Sequence, residues 1–496
     1  MRINRPIVIH IMGLLLLCNG GFMLLATLCS ALYSDGATTG IALASIVTML
    51  TGIMAMFLTK GYKQEVKRRE GYVVVTLGWV IMSISGMLPF LFTGSLDTVT
   101  DAFFETISGY TTSGSSIIDD VEALPEGILL WRSLTHWIGG MGIIVLAIAI
   151  LPLLGIGGMQ LFDAEAPGPG GDKLHPRITD TAKRLWLIYV GYTVLETLLL
   201  TVAGMGLFDA INHSMSTMAT GGFSTKNASL AHWNGQPLIQ YITIVFMFLA
   251  GTNFVLSYYA FTGRVQRILQ DEEFRFYVGF VIFIAAVTAL GIFFKTEVEV
   301  TDYSPRIFGI SESIIRHALF QVLSVITTTG FVTADYTAWT PFLTVIFFGL
   351  MFLGGSAGST AGGIKIMRHL LIIKNGILEF KRSLHPSAII PVRHNHRTVT
   401  EHIMYNIIGF FVFYMLIFII GALFFGLMGL DFVSAVGVSA SSLGNVGVAL
   451  GEFNPMASFS GLPEAGKWWS GFLMLLGRLE LFTVLILFSP EFWKKV

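Results

Sequence analysis

Asp101-Ala-Phe-Phe-Glu-Thr-Ile-Ser-Gly-Tyr-Thr-Thr-Ser-Gly114-Ser115 is the stretch from which the rest of the chain is read. It opens as a half-apolar helical segment too short to cross a membrane and closes on hydroxyl residues around a glycine. The pattern recurs three times. The second copy is Asp209-Ala-Ile-Asn-His-Ser-Met-Ser-Thr-Met-Ala-Thr-Gly221-Gly-Phe223. The third is Ala318-Leu-Phe-Gln-Val-Leu-Ser-Val-Ile-Thr-Thr-Thr-Gly330-Phe331. The fourth is Ala435-Val-Gly-Val-Ser-Ala-Ser-Ser-Leu-Gly-Asn-Val-Gly447-Val448. An alanine precedes the marked glycine by nearly the same distance in each.

The surroundings of these stretches are apolar. Of 496 residues, 54% are hydrophobic and 12% charged, and mean hydropathy is +0.73. Soluble proteins carry roughly 25% charged residues, so a water-facing surface of that kind is excluded. Net charge is −1, which leaves no field to attract nucleic acid. Cys18 and Cys29 sit in or at the end of the first apolar run and read as small lipid- or helix-facing residues.

Ten apolar runs are expected to span: Ile9–Leu32, Ile41–Leu58, Tyr72–Phe92, Leu129–Leu154, Leu185–Met205, Leu238–Phe261, Tyr277–Phe294, Phe342–Ile373, Ile403–Leu430 and Trp468–Phe488. The first is long for a signal peptide and reads as a retained helix. Basic residues cluster at alternate ends: Arg2 and Arg5; Lys60, Lys63, Lys67, Arg68 and Arg69; Lys173, Arg177, Lys183 and Arg184; Arg264, Arg267 and Arg275; Lys374, Lys381, Arg382, Arg393 and Arg397; Lys494 and Lys495. This alternation predicts two cytoplasmic termini. The outer connection 95–127 instead carries Asp97, Asp101, Glu105, Asp119, Asp120, Glu122 and Glu126 without Lys or Arg. It reads either as an acidic vestibule that concentrates cations or as an ordinary solvated loop.

All four short stretches fall between two full spans on the non-basic side. Extended backbone at membrane depth survives only where it lines a water-filled cavity or is buried in protein. Four such loops around an axis would offer carbonyls that replace a cation's hydration shell, with glycine permitting the backbone angles.

Trp131-Arg-Ser-Leu-Thr-His-Trp137-Ile-Gly-Gly-Met-Gly142, Phe248-Leu-Ala-Gly-Thr-Asn253-Phe254, Ile326-Thr-Thr-Thr-Gly330-Phe331 and Leu443-Gly-Asn-Val-Gly447 resemble the TrkH branch of the Trk/Ktr potassium-transport family. The resemblance covers essentially the whole chain, including an extra pair of spans before the first repeat. It implies an all-α polytopic membrane protein: residues 1–70 form the additional helix pair, and membrane–pore-loop–membrane repeats 71–165, 166–270, 271–390 and 391–496 surround one pore. It further implies a homodimer with a pore in each protomer, a bacterial inner-membrane location, potassium as the transported ion, no other cofactor, and a cytosolic TrkA-type nucleotide-binding ring as partner. Backbone carbonyls carried over as ion ligands are those of Thr112, Ser113 and Gly114; Ala219, Thr220 and Gly221; Thr328, Thr329 and Gly330; and Asn445, Val446 and Gly447. Serine at the first of the four marked glycines accompanies sodium preference in plant relatives, so Gly114 favours potassium. The chain departs from the common pattern at Ser113 and Ser115, and at Val448, where proline is frequent.

Gly354-Gly-Ser-Ala-Gly-Ser-Thr-Ala-Gly-Gly363-Ile-Lys365 interrupts the eighth run. It lacks the Gly-Lys-Ser/Thr ending of a phosphate loop, and a stretch this rich in glycine is expected to unwind a membrane helix; small-residue helix packing is the alternative. In relatives the matching span is broken into a gate under the filter, which singles out Gly354, Gly355, Gly358, Gly362, Gly363 and Lys365. Arg478 lies mid-span, where a charge costs about 2.5–3.5 kcal/mol, and so should seek the carbonyls of that loop; Glu480 points to another face. Glu196, also within a span, is either a proton site of a proton- or sodium-coupled symporter or a buried neutral carboxyl. His394 and His396, beside Arg393 and Arg397, could bind a metal but read rather as two water-facing histidines of a polar loop. No Ser/His/Asp, Cys/His or paired-carboxylate set stands out, so the chain does not read as an enzyme.

Overall fold

The computed structural model describes residues 4–61, 68–145, 178–295 and 309–494. Arg2, Lys63, Lys67, Lys173, Arg177, Lys495, the end of the expected span Leu129–Leu154 and the repeat boundary at 165/166 lie outside the described residues. Among the described residues the regular elements are helices apart from one short antiparallel ribbon, β1 (Arg393–His394) and β2 (Arg397–Thr398).

A helical pair comes first, α1 (Arg5–Tyr33) and α2 (Thr38–Leu58). The first repeat follows: α3 (Arg68–Gly86) continued by α4 (Leu88–Thr93), the short α5 (Val99–Tyr110), and α6 (Glu126–Val145). The second comprises α7 (Ile178–Val202), the short α8 (Leu207–Ala219), α9 (Pro237–Ala250), α10 (Phe254–Phe261) and α11 (Val265–Gln270). The third comprises α12 (Glu272–Lys295), α13 (Ile310–Ile326), α14 (Pro341–Leu350) and α15 (Ile366–Leu384); the fourth comprises α16 (Glu401–Leu427), α17 (Phe432–Gly444), α18 (Glu464–Arg478), α19 (Phe482–Leu485) and α20 (Pro490–Trp493).

Among the described residues, six helices are long and apolar enough to cross a membrane, or eight if two bent pairs each count as one. Their outward faces carry Leu32, Phe57, Leu58, Val202 and Leu427, each more than 70% exposed. Apolar exposure on that scale needs a lipid or protein partner.

Two expected straight spans are broken. Leu238–Phe261 bends by 107° between α9 and α10, and Trp468–Phe488 by 109° after α18. The first break has a local cause: Asn253 accepts from Val255 N–H at 2.8 Å and restarts the helix as an N-cap. At the second, Glu480 and Leu481 both hold φ near +55°, a conformation that costs a side chain about 1–2 kcal/mol. An ion pair from Glu480 to Arg368 at 2.6 Å secures it.

The short helices are placed by the long ones. Helix α8 packs on α7 and α9 of its own repeat and on α6 of the preceding one; α13 packs on α12 and α14, and on α9 of the preceding repeat. Helix α5 packs on α3 and α6, and on α18 of the fourth repeat, so the order closes into a circle. The ribbon docks on the start of α12: Asn395 donates to Asp271 at 2.9 Å and accepts from Glu272 N–H at 2.9 Å. That docking buries His394, which is 2% exposed, so the expected water-facing pair holds only for His396.

Candidate functional site: a ring of four loops over a glycine-rich plug

Each short helix ends in the same backbone motif. Thr112, Thr220, Thr328 and Asn445 have φ between +52° and +55°, and the glycines two residues later, 114, 222, 330 and 447, have φ between +77° and +90°. The residue between them donates its N–H five residues back: Ser113 to Ser108 O (2.9 Å), Gly221 to Ser216 O (2.9 Å), Thr329 to Ser324 O (2.8 Å) and Val446 to Ser441 O (3.0 Å). This is the six-to-one bond of a Schellman cap, made here by residues that pay in strain for the left-handed angle.

The repeated angles and bonds shift one expected equivalence. In the second loop, Thr220, Gly221 and Gly222 match Thr112, Ser113 and Gly114, while Ala219 is the last residue of its helix. A register marked on Gly221 fails because that residue lacks positive φ and Gly222 has it. A sequence signal for this exists. Counted to Gly222, alanine precedes the glycine by twelve in all four loops (114 − 102, 222 − 210, 330 − 318, 447 − 435), and serine by six (Ser108, Ser216, Ser324, Ser441).

The loops close a ring in chain order. A Cβ on Gly114 would lie 1.9 Å from Gly221 O, one on Gly222 2.1 Å from Thr329 O, one on Gly330 2.4 Å from Val446 O, and one on Gly447 2.3 Å from Ser113 O. Each loop thus seats its glycine against the next loop's carbonyl, and the fourth returns to the first. Four helix C-termini, each with partial negative charge, meet at this ring.

Residues 351–365 leave helical geometry and lie on the helix-end side of the ring. The segment fastens its own neck through Gly354 N–H to Ile364 O (2.9 Å) and Ile366 N–H to Gly355 O (3.1 Å). Thr360 Oγ1 donates to Met218 O of the second repeat at 3.0 Å, and Gly362 N–H to Thr328 Oγ1 of the third at 2.6 Å. A Cβ on Gly362 would stand 2.5 Å from Gly444 O of the fourth. The break after α9 supplies acceptors, since Ser356 N–H bonds Gly251 O at 2.8 Å. Gly354, Gly355 and Gly363 are equally hemmed in by backbone oxygens, at 2.1 to 2.8 Å from a built Cβ, and Gly358 approaches Asn253.

Arg478, 2% exposed, donates to Thr360 O at 2.7 Å and to Gly139 O on α6 at 3.0 Å. Plug and arginine together therefore touch all four repeats. Lys365 Nζ turns back onto the plug's own carbonyls at Ser359 (3.4 Å) and Ala361. Glu480 pairs with Arg368, away from Arg478. Glu196 is wholly buried on α7.

The acidic outer connection is less free than its composition suggests. Glu105 is buried against Arg132 at 2.8 Å, Asp101 pairs with Lys467 at 2.6 Å, and Asp119 accepts from Ser460 at 2.8 Å. Sequence reasoning missed Thr360, Gly139 and the acceptor role of the 250–251 break. The Gly-Thr-Asn stretch at 251–253, a turn and cap signature, was the available signal for the last.

Residues 38–495 match the TrkH family of cation transport proteins. The Trk system potassium uptake protein TrkH of Salmonella typhimurium is 40% identical over 489 residues, covering 98% of this chain and 99% of that protein. The Escherichia coli K12 protein TrkG is 34% identical over 492 residues, 98% of each chain. The crystal structure of the potassium transporter TrkH from Vibrio parahaemolyticus superposes with a TM-score of 0.89 at 37% identity, covering 99% of this chain and all of that one. These relatives are membrane transporters and not enzymes, and the chain belongs to the TrkH family.

Proposed function

We propose that this chain is the potassium-conducting subunit of a Trk-type uptake system in the bacterial cytoplasmic membrane, with both termini cytoplasmic and the Gly354–Gly363 plug as its gate. The observation that carries the reading is the closed ring of glycine-to-carbonyl contacts. A dehydrated cation needs converging oxygens held at fixed separation. The ring has backbone oxygens from every repeat and no room for side chains between them. The ligands are the carbonyls of Thr112, Ser113 and Gly114; Thr220, Gly221 and Gly222; Thr328, Thr329 and Gly330; and Asn445, Val446 and Gly447. Ala219 stands one position before this set.

The plug is the barrier. Arg478 holds it from the opposite wall, and its charge repels a cation that has passed the ring. Opening requires the plug to leave Met218, Thr328 and Arg478 together. A nucleotide-binding ring on the cytosolic side drives that movement in this reading, docking on the basic segment 373–401, the second half of α15 and the connection after it. Lys381 and Arg393 are exposed there, whereas Arg382 is engaged with Glu379 and Ile390 O. Two copies of the chain associate, each with its own pore. The competing reading, proton- or sodium-coupled symport, rests on Glu196, the wholly buried carboxyl of α7.

The test is reversal potential in liposomes containing the purified protein. A channel reverses at the potassium equilibrium potential whatever proton gradient is imposed, and Glu196→Gln leaves that value in place. A reversal potential that follows the proton gradient, and stops doing so in Glu196→Gln, would establish the symporter instead.

A further inference from the structure

Three of the four pore helices carry, seven residues before the left-handed residue, a polar side chain bonded to the outer limb of their own loop. In the first repeat Glu105 accepts from Ser116 Oγ at 3.0 Å and Ile117 N–H at 3.1 Å. In the second, His213 Nε2 meets Ser224 Oγ at 2.9 Å. In the third, Gln321 donates to Thr333 Oγ1 at 3.2 Å. The fourth position is Val438, which makes no such bond. The braces thus grade from a carboxylate through neutral polar groups to an apolar side chain.

Only the first brace is charged and shared between loops. Arg132, from α6, donates through Nε to Glu105 at 2.8 Å, through Nη2 to Ser116 Oγ at 3.2 Å, and through Nη1 to Ser224 O of the second loop at 3.1 Å. Its guanidinium lies 4.2 Å from the ring centre of Phe223, the residue after Gly222. One turn along α6, His136 stacks on the same ring at 3.9 Å and bonds Ser216 at 3.0 Å. Arg132 and Glu105 are 2% and 1% exposed. The pair therefore spans the outer limbs of loops one and two, beside the junction where Gly114 meets Gly221 O.

A buried ion pair is weak evidence for stability, because apolar replacements often serve as well. What it supplies here is a fixed distance: the planar fork of arginine holds three acceptors in a set geometry. We propose that Glu105 and Arg132 are positioning residues for ion selectivity, fixing the separation of loops one and two. The inference rests on the ring being the filter.

The experiment measures bi-ionic potassium/sodium reversal potentials of purified, reconstituted protein, alongside maximal rubidium flux and melting temperature. The variants are Glu105→Gln, Arg132→Lys and the double Glu105→Gln/Arg132→Gln, with Gly114→Ser as control. Each brace variant should lower the potassium-to-sodium permeability ratio about three- to tenfold. The double should fall at least as far as the single Glu105→Gln, since it also removes the Arg132 bonds to Ser116 and to Ser224 O of loop two. The double leaves no buried charge unpaired, so it carries the test if a single variant fails to fold. A lower melting temperature with an unchanged ratio would make the pair merely structural and overturn the inference. If Gly114→Ser shifts the ratio and no brace variant does, the brace alone is refuted; if nothing shifts it, the filter reading falls as well.

Discussion

Gly114→Ser is the sharpest probe of the ring. The new Cβ would lie 1.9 Å from Gly221 O. An ordinary close contact is about 3.4 Å, so roughly 1.5 Å (3.4 − 1.9) must be found by moving one loop or the other. Both loops are held by their helix-cap bonds at Ser113 and Gly221, so the carbonyl itself is the part able to yield. A side chain at φ +81° adds about 1–2 kcal/mol of strain. If that strain is relieved by displacing one ligand, the potassium-to-sodium permeability ratio should fall about five- to thirtyfold. With about 59 mV per tenfold for a monovalent ion, the bi-ionic reversal potential moves by about 40–90 mV toward sodium, ending where the ratio reaches unity. The same substitution at the other glycines should act in the same direction in the order Gly222 (2.1 Å), Gly447 (2.3 Å), Gly330 (2.4 Å). Protein that folds and conducts with a reversal potential within a few millivolts of wild type would show that these contacts do not form the selective site.

Arg478→Ala removes two charge-assisted bonds to buried carbonyls, each worth about 1.5–3 kcal/mol, and the repelling charge. Basal rubidium uptake into liposomes without any partner should rise at least several-fold, and unchanged uptake in folded protein would place the gate elsewhere. Deleting several plug glycines should raise it in the same direction. Neutralising Lys381 and Arg393 should weaken capture of a TrkA-type ring in a pull-down, while equal capture would remove them from the contact. Glu480→Gln replaces the ion pair to Arg368 that secures the strained break after α18 with, at most, a neutral hydrogen bond. Because that break positions Arg478, basal flux should increase to a smaller extent than in Arg478→Ala, and a larger increase would count against Arg478 as the main barrier.

The repeat, its position between spans and the unwinding of 354–363 were legible because each depends on composition: short apolar segments, hydroxyls and a dense run of glycine. The bends after α9 and α18 were not, because Leu238–Phe261 and Trp468–Phe488 are as apolar as straight spans. Hydropathy does not register that Asn253 caps a new helix or that Glu480 has Arg368 to hold it. The one-residue shift in the second loop has a similar origin. Gly221 and Gly222 are interchangeable in a composition reading, and only the backbone angle at Gly222, or the constant spacing from Ala210 and Ser216, separates them. The partners of Arg478 were half legible: burial at that depth required carbonyls, and the plug supplied Thr360 O, but Gly139 O comes from a helix distant in sequence.

The two helix breaks and the plug form one hydrogen-bonded unit. A helix that ends inside a membrane leaves carbonyls that must find donors. After α9 those carbonyls belong to Ala250 and Gly251, and their donors are Thr360 N–H at 3.4 Å and Ser356 N–H at 2.8 Å of the plug. After α18 the donor is the arginine, and the plug supplies the carbonyl. The closed plug therefore satisfies one broken helix by donating and restrains the other by accepting. Moving it without water would strand acceptors at Ala250 and Gly251 and a charge at Arg478, each costly in a dry interior. Water reaching this level can take over all of these bonds, so hydration lowers the cost of displacing the plug. If the plug is the gate, its barrier and the hydration of the pathway are coupled through Thr360, Ser356 and Arg478, and a partial displacement of the plug that admits no water is the state this chemistry disfavours most.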